Sequence, residues 1–215
     1  MVLVLVLLSC GSPLRSRCPS GMTAIAAGGY CIHRYEVCGE MKTFTLEQGA
    51  RLLDEPERVA FAVEAGCTPI QATWSQAQAV CAHLGHRLCT SQEWEDACDG
   101  HVGPGGAQYP TATGAYTTGD CAFTEPRHAP REPLSLTGAH PACTTPSGIA
   151  DLAGNLWEWT DPGMQDASGA PLVDKRGGAH YGRDPVGCAY RSVGSHAPSF
   201  YASTGFRCCA SLNTW

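Results

Sequence analysis

The stretch Gly148–Thr160, GIADLAGNLWEWT, decides how the rest of the chain is read. Trp157 and Trp159 flank Glu158, and the Gly154-Asn155 pair before them predicts a tight turn. Asp151 and Glu158 are hard oxygen donors at two ends of this short segment. With Gly154 and the backbone carbonyls between them, they could hold Ca²⁺ in a loop. The competing reading is plainer: acids in a turn are commonly solvated or cap a helix.

Two helices are predicted upstream. In TWSQAQAVCAHLGHRL, residues 73–88, the apolar positions Ala77, Val80, Cys81 and Leu84 recur at helical spacing, and Gly85 can end the helix. In TSQEWEDAC, residues 90–98, Thr90 and Glu93 stand in capping-box spacing, with Glu93 and Glu95 near the positive helix end. Residues 43–66 form the most helix-friendly part of the N-terminal third, interrupted at Pro56. CPSGMTAIAAGGYCIHRYEV, residues 18–37, has a Gly-Gly turn between apolar segments and reads as a hairpin that Cys18 and Cys31 could tie. From Cys98 to about residue 147 the chain is rich in Gly, Pro and Thr, which predicts long irregular loops. A Cys121–Cys143 bridge could close one of them.

Composition narrows the class. The chain has 215 residues, 43% of them hydrophobic and 16% charged, enough for one domain with a core. Its net charge is −6 without a long basic run, which argues against a nucleic-acid partner. The 25 glycines and 15 prolines are interspersed with aromatic and aliphatic residues, so they indicate loops rather than disorder.

The first ten residues, MVLVLVLLSC, are too short an apolar run to span a bilayer and resemble a signal-peptide core. A buried N-terminal strand is the alternative. Leu7-Leu8-Ser9-Cys10 resembles a bacterial lipobox, which implies a signal peptide over 1–9 and lipidation of Cys10. By the same resemblance, Gly11 favours the outer membrane, with the protein facing the periplasm or the cell surface and touching the membrane through its lipid alone. A tether over 10–17 and a domain over 18–215 follow. Of 13 cysteines, setting Cys10 aside leaves an even number with no C-x-x-C pair, which reads as disulfides formed in an oxidising compartment.

The ordered motifs resemble the formylglycine-generating enzyme (sulfatase-modifying factor) domain family. GNLWEW is similar to its G-N-x-W-E-W signature, and residues 73–98 to the block W-x-x-A-x-x-Y-C-x-W-x-G-x-R-L-P-T-x-x-E-W-E-x-A. RGGAHYG (176–182), CAYRS (188–192) and GFRCC (205–209) resemble R-G-G-S, C-x-x-R-S and G-F-R-C, and GMTAIAAGGYCIHRYEV (21–37) resembles the family's opening. The resemblance implies a single α+β domain with little regular secondary structure, related to the C-type-lectin fold and stapled by disulfides. It also implies the bridges Cys81–Cys208 and Cys98–Cys188, and a structural calcium loop at Asp151, Gly154, Leu156 and Glu158 with carbonyls from the middle two. For the other cysteines, proximity in sequence suggests Cys18–Cys31, Cys38–Cys67 and Cys121–Cys143, which leaves Cys89 with Cys209. Those last two would form a bridge parallel to Cys81–Cys208.

The resemblance breaks at the catalytic centre. Oxidases of the family hold Cu(I) with two cysteines between the G-G-S and C-x-x-R-S elements, and thiolates are what select Cu(I). Here that span reads AHYGRDPVG, with no cysteine and with Ala179 in place of serine, while Cys188 falls on the disulfide position. This argues against copper. His180 and His196, with Tyr181, Asp184 and Tyr201 near them in sequence, could in principle bind iron or copper, or could be ordinary rim residues. Three classes remain: a non-catalytic lipoprotein module binding a protein, peptide or glycan on its loops; a metal-dependent oxidoreductase acting on a protein thiol or a small molecule; and a structural envelope component.

Overall fold

The computed structural model describes residues 16–39, 53–100, 105–124, 133–182, 185–193 and 203–214. Strands β1 (Ser16–Arg17) and β12 (Asn213–Thr214) pair antiparallel, so the two ends of the described chain meet. Ser16 and Arg17 of this pair fall within the stretch read as tether. The expected signal peptide and Cys10 lie outside the described residues.

One four-stranded sheet runs β2 (Met22–Ile25), β3 (Tyr30–His33), β11 (Cys208–Ser211), β6 (Arg87–Leu88), antiparallel throughout. The hairpin β2–β3 closes through a 3₁₀ turn at Ala26–Gly28, where Gly29 takes φ 71°, a conformation glycine adopts without steric cost. The second sheet runs β10 (Thr204–Phe206), β7 (Trp157–Thr160), β8 (Asp174–Arg176), β9 (Arg191–Val193), with β10 and β7 parallel. The GNLWEWT stretch thus supplies an inner strand of that sheet.

Helix α1 (Trp74–His83) opens on a capping box of Thr73 and Gln76, and helix α2 (Ser91–Asp99) on one of Thr90 and Glu93. Gly85 ends α1 at φ 77°: its N–H donates to Ala82 O and that of His86 to Cys81 O, the two bonds of a Schellman motif. No described helix is long and apolar enough to cross a membrane.

Residues 53–66 are not helical. Pro56–Arg58 makes one 3₁₀ turn, and β5 (Phe61–Ala62) pairs with β4 (Cys38–Gly39). Pro56 limits the helix upstream, Val59 and Val63 are β-branched, and the Cys38–Cys67 bridge draws the segment alongside β4. The rest of the expected helix lies outside the described residues.

Six disulfides join twelve of the thirteen cysteines: Cys18–Cys31, Cys38–Cys67, Cys81–Cys208, Cys89–Cys209, Cys98–Cys188 and Cys121–Cys143. Cys208 and Cys209 are neighbours on β11, so period two sends their side chains to opposite faces. Cys208 joins a cluster with Trp74, Val80, Trp159 and Phe206, and Cys209 joins one with Ile32, Trp94, Ile149 and Leu152. The two bridges therefore grip β11 from its two sides and do not run in parallel on one. A third, smaller cluster packs Phe123 and Ala153 around Cys121–Cys143.

Candidate functional site

The segment after β8 is held tightly. Gly177 and Gly178 have φ 84° and 79°, and a Cβ on Gly178 would come within 2.6 Å of Val186 and 3.0 Å of Phe123. Only glycine fits there. Ala179 is buried, and Cys188 is buried in its bridge to Cys98. His180 is tied to Asn155 twice: its backbone N–H donates to Asn155 O at 2.7 Å, and its Nδ1–H donates to the same oxygen at 3.0 Å. Thr124 Oγ1 donates to His180 O at 2.8 Å, and the Tyr181 hydroxyl lies 2.9 Å from Ser203 Oγ. One of the two candidate imidazoles is thus placed. His196, Asp184 and Tyr201 lie outside the described residues.

Asn155 links this segment to a buried charge cluster. Its Nδ2 donates to Glu36 Oε2 at 2.7 Å, and its Oδ1 accepts from Ser135 N at 3.0 Å. Asp151 (φ 61°) and Asn155 (φ 57°) are the only non-glycine residues of positive φ among those described, and both lie in this loop. Such backbone gathers where the surroundings enforce it, often at ligand sites. Asp151 Oδ2 accepts from Gly138 N at 2.6 Å. Gly154 is packed against Ala122, whose carbonyl oxygen would be 2.3 Å from an added Cβ.

Glu36, Asp151 and Glu158 are 0%, 4% and 0% exposed, and they surround the equally buried Arg207. Arg207 Nη2 and Nε donate to Glu158 Oε1 and Oε2 at 2.6 and 2.7 Å, a bidentate pair. Trp94 Nε1 also donates to Glu158 Oε2, at 2.7 Å. The remaining guanidinium bonds go to His33 O and Ala150 O, at 3.0 and 2.9 Å. Burial opposes the Arg207 charge, but Glu158, Glu36 and Asp151 outweigh it and raise its pKa. With all three ionised, three carboxylates against one guanidinium would leave two negative charges in excess. Burial, then repulsion from Asp151 and Glu158, push the Glu36 carboxyl well above the usual carboxylate range, although Arg207 and Asn155 pull it down. Burial raises Asp151 as well, against the Gly138 N–H and Arg207.

This imbalance tests the calcium expectation. Among the described residues no group of three or more His, Cys, Asp or Glu side chains is placed to hold a metal ion. A cation here would therefore rely on backbone carbonyls beside Asp151, such as the two that the family resemblance assigns to Gly154 and Leu156. Both Glu158 oxygens already accept from Arg207, so Glu158 has only a remaining lone pair of Oε1 to give. Hard oxygen donors of this kind would suit a divalent cation, whose charge would favour the ionised forms of Glu36 and Asp151. Asp151 and the two carbonyls would hold it, and Glu36 would balance it. Glu36 and Arg207 were not singled out from sequence, although both stand inside the quoted opening and G-F-R-C blocks.

These features are those of a known family. The chain belongs to the sulfatase-modifying factor enzyme 1-like domain family, which it matches over residues 17–212. Among curated proteins it is similar to the inactive C-alpha-formylglycine-generating enzyme 2 of Bos taurus, 32% identical over 159 residues, covering 65% of this chain and 48% of the relative. It is also similar to the hercynine oxygenase of Mycolicibacterium smegmatis, 34% identical over 120 residues, covering 52% of this chain and 26% of the relative. The chain thus spans about half, or less, of the curated relatives it matches.

Solved structures agree on the fold. The P3c variant of the Major Tropism Determinant superposes with TM-score 0.58 at 15% identity, over 94% of this chain and 55% of that one. PvdO from Pseudomonas aeruginosa superposes with TM-score 0.56 at 18% identity, over 85% and 80%. The fold is mixed α/β with few helices and several disulfides, of the formylglycine-generating enzyme and C-type-lectin-like kind.

Proposed function

We propose that this chain is an exported, non-catalytic member of its family: a disulfide-stapled domain that binds a protein, peptide or glycan on its loops. The observation that carries the reading is the fate of Cys188. It is the one cysteine between Gly178 and Arg191, and it is bridged to Cys98. A thiol in a disulfide is neither a Cu(I) ligand nor a nucleophile. The bovine relative named as inactive supports it. Lipidation at Cys10, an outer-membrane location and a supporting calcium ion in the Asp151–Glu158 loop complete the proposal.

The test is alkylation of the unreduced protein, Cu(I) titration against a competing chelator, and an assay for oxidation of a cysteine peptide. No label on Cys188, no stoichiometric copper and no turnover are expected. Label on Cys188 together with bound copper would overturn the reading. A second reading, a metal-dependent oxidoreductase, draws on one observation: the Nδ1–H of His180 is fixed on a carbonyl, which leaves Nε2 as the ring's electron-pair donor. Stoichiometric iron or copper, lost in His180→Ala with the bridges intact, would establish it.

A further inference from the structure

The side chains of Asp151 and Asn155, the two non-glycine residues of positive φ, lean on one short loop. Gly138 N donates to Asp151 Oδ2 at 2.6 Å, and Ser135 N donates to Asn155 Oδ1 at 3.0 Å. Between those two donors in sequence stands Thr137, 1% exposed, which anchors the loop. Thr137 N donates to Cys67 O at 3.0 Å, and Gly66 N donates to Thr137 O at 2.7 Å. The Thr137 hydroxyl donates to Glu64 O at 2.6 Å and accepts from Cys67 N at 3.2 Å. A Cβ on Gly138 would come within 3.3 Å of the Ala65 methyl, so the two segments also pack together. Residues 64–67 are thus a support for the 135–138 loop, and the Cys38–Cys67 bridge ties that support to β4.

That bridge is accessible from one side. In thiol–disulfide exchange a thiolate must reach a sulfur, so access helps decide which bridge reacts first. The cysteines of Cys81–Cys208, Cys89–Cys209, Cys98–Cys188 and Cys121–Cys143 are all 2% exposed or less. Cys67 is half-buried, with the fully buried Cys38 behind it. Cys18 is half-buried too, but its partner Cys31 stands in a hairpin whose strands already pair at four positions. Opening that bridge would free little.

We propose that Cys38–Cys67 is a redox latch on the Asp151–Asn155 loop, opened by a dithiol. A thiolate of the dithiol attacks Cys67 Sγ; the S–S bond breaks and its electron pair leaves on Cys38 Sγ, which takes up a proton. The second thiol resolves the mixed disulfide and releases Cys67 as a thiol, so two electrons and two protons pass from the dithiol to the protein. Residues 64–67 then lose their covalent tie, and the 135–138 loop loses its support. Asp151 N and Asn155 N keep their bonds to Cys143 O and Ala122 O, at 3.1 and 3.0 Å, so the loop slackens in place rather than unfolding. Because Asn155 O also holds His180, the slackening extends to the 177–182 segment. The latch is independent of whether that face binds or catalyses.

The experiment titrates the oxidised full chain with dithiothreitol, traps thiols by alkylation and follows amide hydrogen exchange. Cys38 and Cys67 should be labelled at reductant levels that leave the four buried bridges closed. Exchange at Ser135, Thr137 and Gly138 should then quicken about tenfold, the worth of roughly one hydrogen bond, and recover on reoxidation. The amides of Leu88 and Trp94 should not change. Cys38→Ser with Cys67→Ser should show the quickened exchange without reductant, whereas Cys18→Ser with Cys31→Ser should leave the 135–138 amides as in the wild type. Labelling of a buried bridge before Cys67 overturns the proposal. So do an opened Cys38–Cys67 bridge with unchanged exchange at 135–138, the same quickening in the Cys18–Cys31 variant, or a loss of protection throughout the domain.

Discussion

Replacing either member of the buried Arg207–Glu158 pair should be costly, but unequally. Removing one partner of a buried ion pair costs about 3–5 kcal/mol, because the other charge is left uncompensated. In Glu158→Gln, Arg207 still faces Glu36 and Asp151, and the side-chain oxygen can still accept from it, so the loss belongs near the lower figure. In Arg207→Gln, three buried carboxyls lose the guanidinium they surround, and the bonds to His33 O and Ala150 O go as well. That variant should reach or pass the upper figure, a gap of about 2 kcal/mol. The assay is denaturant unfolding with the bridges intact, in chelator. The gap should widen as pH rises: Glu36 and Asp151 have raised folded-state pKa values, so the variant is relieved by their protonation at low pH and loses that relief above it. Equal losses, or a greater loss for Glu158→Gln, would refute the excess-charge account.

Calcium should stabilise the wild type by about 2.7 kcal/mol at a hundredfold excess over its Kd, and much less after Asp151→Ala, read as a shift in the unfolding midpoint. Burial, with His86 and Arg207 adding to it, holds His33 down to about 3, and its Nδ1 accepts from Cys208 N. A depressed histidine stabilises the fold above its unfolded pKa, so its share should fall by about 2 kcal/mol between pH 7 and pH 5. Its ring resonances should not titrate over that window, and a midpoint near 6.5 would contradict the burial. Gly154→Ala should cost several kcal/mol, or prevent folding, because its Cβ meets the Ala122 carbonyl at 2.3 Å and φ is 76°. A wild-type melting temperature in that variant would refute the packing of the loop. Removing Cys89–Cys209 alone should cost about 3 kcal/mol rather than the roughly 5 expected of a loop its length, because Cys81–Cys208 leaves only a short span for it to close. Deleting both bridges should cost more than the two single losses together, which a double-mutant cycle in denaturant can check.

What was legible in sequence was local. Gly85 and the Thr90-Glu93 box mark helix ends through contacts within four residues, and they stand where the pattern put them. The Thr73-Gln76 box carries the same signature in weaker form. Strands of two to four residues, such as β6, β8 and β10, are too short to show a period, and tertiary pairing alone makes them strands. Residues 53–66 misled because helix-friendly Glu, Arg and Ala surround a proline and two valines that a bridge then pulls beside β4. Asp151 and Glu158 stood out because they are close in sequence. Glu36 and Arg207 did not, because 171 positions separate two charges that meet only in the folded core, and a family block names a residue without its role.

The bridges that grip β11 also determine what happens when the chain is cut. Any backbone break between Cys89 and Cys188 leaves two fragments still joined by Cys81–Cys208, Cys89–Cys209 and, for most cuts, Cys98–Cys188. Both fragments keep a share of the same central strands. A protease that reaches a loop within that span therefore scars the molecule without dividing it, and only a reductant would reveal that the cut had been made.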